Sequence, residues 1–110
     1  MAEKPGAILV VDDAPDMRAL LCDELSERGY RVAAAASGRE ALKKLGEEDC
    51  AVVLTDLRMQ GMQGLELLSE VKRDYPGTNV IIMTAFGSVE SAIEAMKQGA
   101  YDYVTKPIKN

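Results

Sequence analysis

Histidine is missing altogether from the 110 residues. Without an imidazole, neither a Ser-His-Asp nor a Cys-His catalytic unit can be assembled, nor a zinc site that relies on histidine. Cysteine is scarce. Cys22 and Cys50 lie far apart and form no Cys-x-x-Cys pair, and small reduced thiols are among the side chains most often buried. They read as core residues of a reducing compartment, not as a disulfide. Long apolar runs near the start are missing too: Ala7 to Val11 ends at Asp12 and Asp13, too short for a signal peptide or a membrane span. Cations are outnumbered, 13 Lys+Arg against 18 Asp+Glu for a net charge of -5, which disfavours binding to a phosphate backbone. The expectation is a soluble, cytoplasmic protein with no direct nucleic-acid or membrane partner, whose chemistry uses carboxylates, lysine or hydroxyls.

What is present is a 47% hydrophobic composition, enough for one domain with one core. Short β-branched runs alternate with segments of helical period, the pattern of a parallel sheet covered on both faces. Strands are expected over Ala7 to Asp12, Tyr30 to Ala35, Ala51 to Asp56, Asn79 to Thr84 and Tyr101 to Thr105. The first helix starts near Pro15, carries Met17, Leu20, Leu21 and Leu25 on one stripe and stops at Gly29. The second opens at Ser37 with Glu40 three residues on, a capping box, and buries Ala41, Leu42 and Leu45. The third runs from about Gly64 to Asp74 on Leu65, Leu68 and Val71. The fourth is capped by Ser88, repeats Val89, Ala92, Ile93 and Met96, and ends at Gly99. The fold class is α/β, a flavodoxin-like doubly wound five-stranded parallel sheet of order 2-1-3-4-5, in which ligands bind at the carboxyl ends of strands one and three.

Those two ends are acidic. Val-Val-Asp-Asp and Leu-Thr-Asp deliver Asp12, Asp13 and Asp56 to one crevice, and three carboxylates together call for a hard divalent cation; oxygen ligands of modest number suit magnesium. Taken singly, Asp13 could merely cap the first helix and Asp12 stand in solvent. The ends of strands four and five add Thr84 and Lys106, which alone would be a β-branched filler and a solvated lysine. Beside the acidic trio they supply a hydroxyl and a cation at the same rim, the surroundings of a phosphoryl group next to magnesium.

The chain resembles the receiver domain of two-component response regulators, through Val-Val-Asp-Asp at 10–13, Thr-Asp-Leu-Arg-Met at 55–59, Met-Thr-Ala at 83–85 and Lys-Pro at 106–107. The stretch from Met83 to Ile108 is most similar to receivers at the head of nitrogen-regulation-type, enhancer-binding transcription activators. The resemblance implies that Asp56 takes a phosphoryl group from a phosphohistidine of a sensor histidine kinase. It implies magnesium held by Asp13, Asp56 and the Arg58 carbonyl, with Asp12 acting directly or through water. Lys106, the Thr84 hydroxyl and the Ala85 amide would bind phosphoryl oxygens, and Tyr103 would follow Thr84 as a switch, unless it is only a half-buried strand tyrosine. The readout would be a change in the surface of the fourth helix and fifth strand, toward an output domain, a downstream protein or a homodimer.

Two departures stand out. Many receivers have Met-Pro after the phosphorylated strand, where this chain has Met59-Gln60, so the loop loses a proline constraint. The family's fold ends in a fifth helix, whereas this sequence stops at Asn110; residues 1–110 are thus expected to be a C-terminally truncated receiver with an apolar strip beside the first helix. Of the rival readings, a haloacid-dehalogenase-like phosphohydrolase needs a second Asp two residues after its nucleophile, where Arg58 stands. A nucleotide binder lacks a glycine-rich loop after strand one. A receiver-like module that is never phosphorylated has no need of the acceptor residues this chain carries.

Overall fold

The computed structural model describes residues 6–84 and 89–105. Five parallel strands, β1 (Ala7–Val11), β2 (Val32–Ala35), β3 (Cys50–Asp56), β4 (Asn79–Thr84) and β5 (Asp102–Thr105), form one sheet of order β2-β1-β3-β4-β5. Between them lie α1 (Pro15–Glu27), α2 (Gly38–Glu47), α3 (Gly64–Asp74) and α4 (Val89–Lys97). Strand edges differ from the sequence reading by one or two residues: β1 ends at Val11, β2 begins at Val32, β3 begins at Cys50 and β5 at Asp102. Ladder bonding, which sequence pattern does not report, sets these ends. Gly29 and Gly99 close the turns into β2 and β5 at φ 93° and 99°, a region that costs glycine nothing.

The core follows from strand alternation. Leu9, Val53, Val80 and Ile82 are fully buried in one cluster with Ala41 and Leu45 of α2, Leu67, Leu68 and Val71 of α3, and Ala95 of α4. Outside that cluster Val10 and Met83 are also fully buried. α1 runs beside β1 and β2, yet none of its residues is fully buried.

Helix starts mostly follow the expected chemistry. The Ser37 hydroxyl accepts from the Glu40 amide at 3.1 Å, and Pro15 occupies the first turn of α1. Three apolar stripes need correction. On α1, Leu20 is 54% exposed. On α3, Leu67 is fully buried beside Leu68 while Leu65 is only partly covered. On α4 Ile93 and Met96 of the apolar repeat are 51% and 50% exposed, and Ala95, outside that repeat, is buried. α4 approaches through its small residues, so its large side chains turn outward. The expected cap Ser88 lies outside the described residues. Both cysteines are free, Cys50 buried and Cys22 half-buried. Burial pushes both thiols upward from their ordinary pKa, with neighbouring carboxylates adding to the effect.

Candidate functional site at the carboxyl edge of β1 and β3

β1 lies between β2 and β3, so the chain leaves β1 toward one side and β3 toward the other, opening a crevice at their carboxyl ends. Val11 pairs with Thr55; the next residues, Asp12 and Asp56, therefore emerge side by side. One carboxylate oxygen from each of Asp12, Asp13 and Asp56 lies within 4.8 Å of the others. Asp12 is fully buried, Asp56 partly buried and Asp13 exposed. The simpler readings of these residues fail here. α1 begins after Ala14 with no side-chain cap, so Asp13 does not cap it, and Asp12 is not in solvent.

Main-chain amides hold the trio. Asp12 Oδ1 accepts from Ala14 N at 2.9 Å, Asp56 Oδ1 from Arg58 N at a long 3.4 Å, and Asp13 Oδ2 from Gln60 N at 3.0 Å. The Arg18 guanidinium donates to the Asp12 carbonyl at 2.8 Å, fixing the loop behind it. Like charges about 4 Å apart repel by ~1–4 kcal/mol per pair at effective dielectrics between bulk water and a protein surface. The donors are all hard oxygens, so the set fits magnesium or another hard divalent cation and not a soft metal.

The turn from β3 into α3 is built around Asp56. The Thr55 hydroxyl lies 3.0 Å from the Asp56 carbonyl, and Leu57 N donates to Met83 O at 2.9 Å. Leu57 and Met59 are buried and pin the turn to the core. Gln63 then caps α3. Its Oε1 accepts from Met59 N at 3.2 Å, its Nε2 donates to Met59 O at 2.6 Å, and its own amide donates to Glu66 Oε1 at 3.1 Å. At Gly64 a Cβ would collide with the Asp56 carbonyl oxygen and come within 2.9 Å of Leu57 Cα. Only glycine lets α3 start this close to the acidic residue. Gln60, Gln63 and Gly64 were not singled out for the site from sequence. Gln63 and Glu66 do have capping-box spacing, but glutamine is not a usual cap.

Thr84 ends β4 one residue beyond Met83, the register partner of Asp56, and is 1% exposed. Tyr103 pairs with Ile82 and is half-buried. Its hydroxyl lies 2.7 Å from Ser91 Oγ of α4. Arg58 is exposed in the turn. Lys106 and Ala85 lie outside the described residues.

Comparison with known proteins agrees with this geometry. The family model for the response regulator receiver domain matches residues 8–110. The transcriptional regulatory protein GlrR of Escherichia coli (strain K12) is 43% identical over 108 residues, covering 98% of this chain and 24% of that protein. ZraR of Klebsiella oxytoca, also a transcriptional regulatory protein, is 48% identical over 101 residues, 92% of this chain and 23% of its own. The chain thus spans about a quarter of these relatives, as expected of similarity to receivers of transcription regulators. TrrA of Thermotoga maritima, solved in complex with Mg(2+)-BeF, superimposes with a TM-score of 0.84 at 37% identity, covering 94% of this chain and 88% of that one. With its sheet order, its acidic crevice and a family match running from β1 onward, the chain belongs to the response regulator receiver domain family.

Proposed function

We propose that residues 1–110 form one receiver, or phosphoacceptor, domain that accepts a phosphoryl group onto Asp56 in a magnesium-dependent reaction, with the phosphohistidine of a sensor histidine kinase as donor. The observation that carries this reading is the convergence of Asp12, Asp13 and Asp56 within 4.8 Å. Asp56 is the nucleophile because it ends β3 beside Asp12 and Asp13, the neighbours that supply the metal, and stands where the resemblance to receivers puts the acceptor opposite Lys106. One Asp56 oxygen forms a new bond to phosphorus, the bond from phosphorus to the donor's imidazole nitrogen breaks, and that nitrogen keeps the electron pair. Asp13, Asp56 and the Arg58 carbonyl would hold magnesium, with Asp12 acting on it directly or through water. Bound there, the ion offsets the negative charge that collects as phosphoryl and carboxylate approach.

Thr84 donates its hydroxyl to a phosphoryl oxygen; Lys106 and the Ala85 amide complete that binding in the family's manner. Drawing Thr84 toward the phosphoryl group changes the space beside Tyr103, whose hydroxyl is held by Ser91 of α4. The α4–β5 surface then changes population, and an output domain, a downstream protein or a second copy reads it. Among the described residues no helix is long and apolar enough to cross a membrane.

The test is intact-mass measurement after incubation with a small phosphodonor, with and without magnesium. One phosphoryl mass that appears only with magnesium is expected. Folded protein that gains no mass with magnesium present overturns the reading.

A further inference from the structure

The two loops of the acidic edge are joined by the main chain of one and a side chain of the other. Asp12 and Asp56 each accept an amide two residues on, within their own loop. Asp13 instead accepts from Gln60 N at 3.0 Å, across 47 residues of sequence. The donor exists because residue 60 is not proline, which has no N–H to give. Its position is fixed from both sides. Met59 is 4% exposed and bonded to the Gln63 side chain through both its N–H and its carbonyl. Gly61 turns the chain at φ 76°, where L side chains rarely go.

We propose that the Gln60 main-chain amide is a positioning group for Asp13. It straps the β3–α3 turn to the β1–α1 loop and holds the Asp13 carboxylate by one oxygen, leaving the other to the divalent cation. This rests on the magnesium reading above. An exposed aspartate without such a tie rotates through several rotamers, and an arriving ion must stop that rotation. Hydrogen-bond partners of metal ligands are commonly worth about 10–100-fold in affinity, and a single bond at an exposed carboxylate belongs at the low end, about tenfold. The Gln60 side chain has no part in this, so any residue with an N–H should serve.

Magnesium titration by calorimetry of the wild type, Gln60→Ala and Gln60→Pro separates these contributions. Gln60→Ala keeps the donor and should bind within about twofold of wild type, whereas Gln60→Pro loses it and should bind about tenfold more weakly. Equal affinity in Gln60→Pro and wild type overturns the proposal, as does a Gln60→Ala variant weakened as much as Gln60→Pro. A second readout needs no metal and no proline. In metal-free protein the Gln60 amide should be protected from hydrogen exchange, and in Asp13→Ala it should exchange about tenfold faster or more. A Gln60 amide that exchanges equally fast in both proteins refutes the strap. A wild type that takes up no magnesium sinks the metal reading itself, while the exchange measurement still decides whether Gln60 holds Asp13.

Discussion

Beneath α2 and α3, side chains are held by shape; at the carboxyl edge of the sheet they are held by main-chain amides. Leu9, Val53, Leu67, Leu68, Val71 and Val80 are fully buried against one another, and their energy lies in area removed from water and in contacts a smaller residue would lose. Asp12, Asp13 and Asp56 carry like charges in one crevice, and each is kept there by an N–H whose position the turns dictate. The interior is thus stable because of its side chains, and the edge keeps its side chains in spite of their mutual cost. Substitutions in the two regions should therefore fail in opposite ways, one losing stability and the other losing chemistry.

The largest expected effect is at the edge. Asp56→Asn is close to isosteric, removes the nucleophile and should abolish labelling by a phosphodonor in intact-mass measurement. The same change removes one of three like charges, so the unfolding free energy from urea titration should stay or rise, by about 1 kcal/mol from Coulomb repulsion at high effective dielectric. A variant that still gains phosphoryl mass would move the acceptor away from Asp56. One that unfolds readily would show that the carboxylate supports the fold and would break the contrast between edge and interior.

The interior counterpart is Leu67→Ala, at a fully buried position of α3. Truncating a buried leucine costs about 2–5 kcal/mol through lost transfer energy and the cavity left behind. Urea unfolding should register about 3 kcal/mol, with labelling retained wherever the variant is folded. A loss below about 1 kcal/mol would mean that the site collapses around the smaller side chain and that packing there is loose.

Gly64 lies where the two regions meet, and Gly64→Ala should fail in both ways. The added methyl meets the Asp56 carbonyl and the Leu57 backbone, neither of which can swing aside as a flexible side chain could. Overpacking of this kind costs about 1–3 kcal/mol. It also shifts the peptide that carries Asp56, so phosphodonor labelling should slow more than stability alone accounts for. Normal labelling in the folded variant would show that α3 can retreat without disturbing the acidic residue.

Much of this could be read from the sequence, and the parts that could not share a cause. The five strands, the α2 start and the α3 limits follow from alternation, the Ser37 cap and periodicity, all local signals, while the sheet order follows from right-handed crossovers with one reversal of strand order. The acidic trio was legible because topology puts the ends of the first and third strands together. Gln60 escaped because its bond to Asp13 spans two loops and uses the main chain, to which residue identity contributes only by not being proline. Gly64 escaped because a close approach of backbone to backbone leaves no periodic trace. The facing of α4 does not follow from its apolar repeat for a physical reason: hydrophobic period identifies a stripe, but Ala95 can face the sheet more closely than Ile93 or Met96, and the helix follows the tighter fit.

That reversed face supplies the smallest expected effect. Ile93 and Met96 stand half in solvent, and together with Ala92 and Lys97 they line a shallow groove on α4. Because Ile93 is 51% exposed, Ile93→Ser loses little packing, while serine is not much worse than isoleucine as a helix former. The expected change in unfolding free energy is within about 0.5 kcal/mol, the usual range for surface positions. Phosphodonor labelling should be unchanged, since Ile93 is not among the groups proposed to hold the phosphoryl group or magnesium. Urea titration beside wild type checks this directly. A loss of about 2 kcal/mol or more would mean that α4 buries Ile93 in solution and turns its small residues outward. In that case the α4 facing expected from periodicity would be the right one, and the interior would extend beneath α4 as it does beneath α2 and α3.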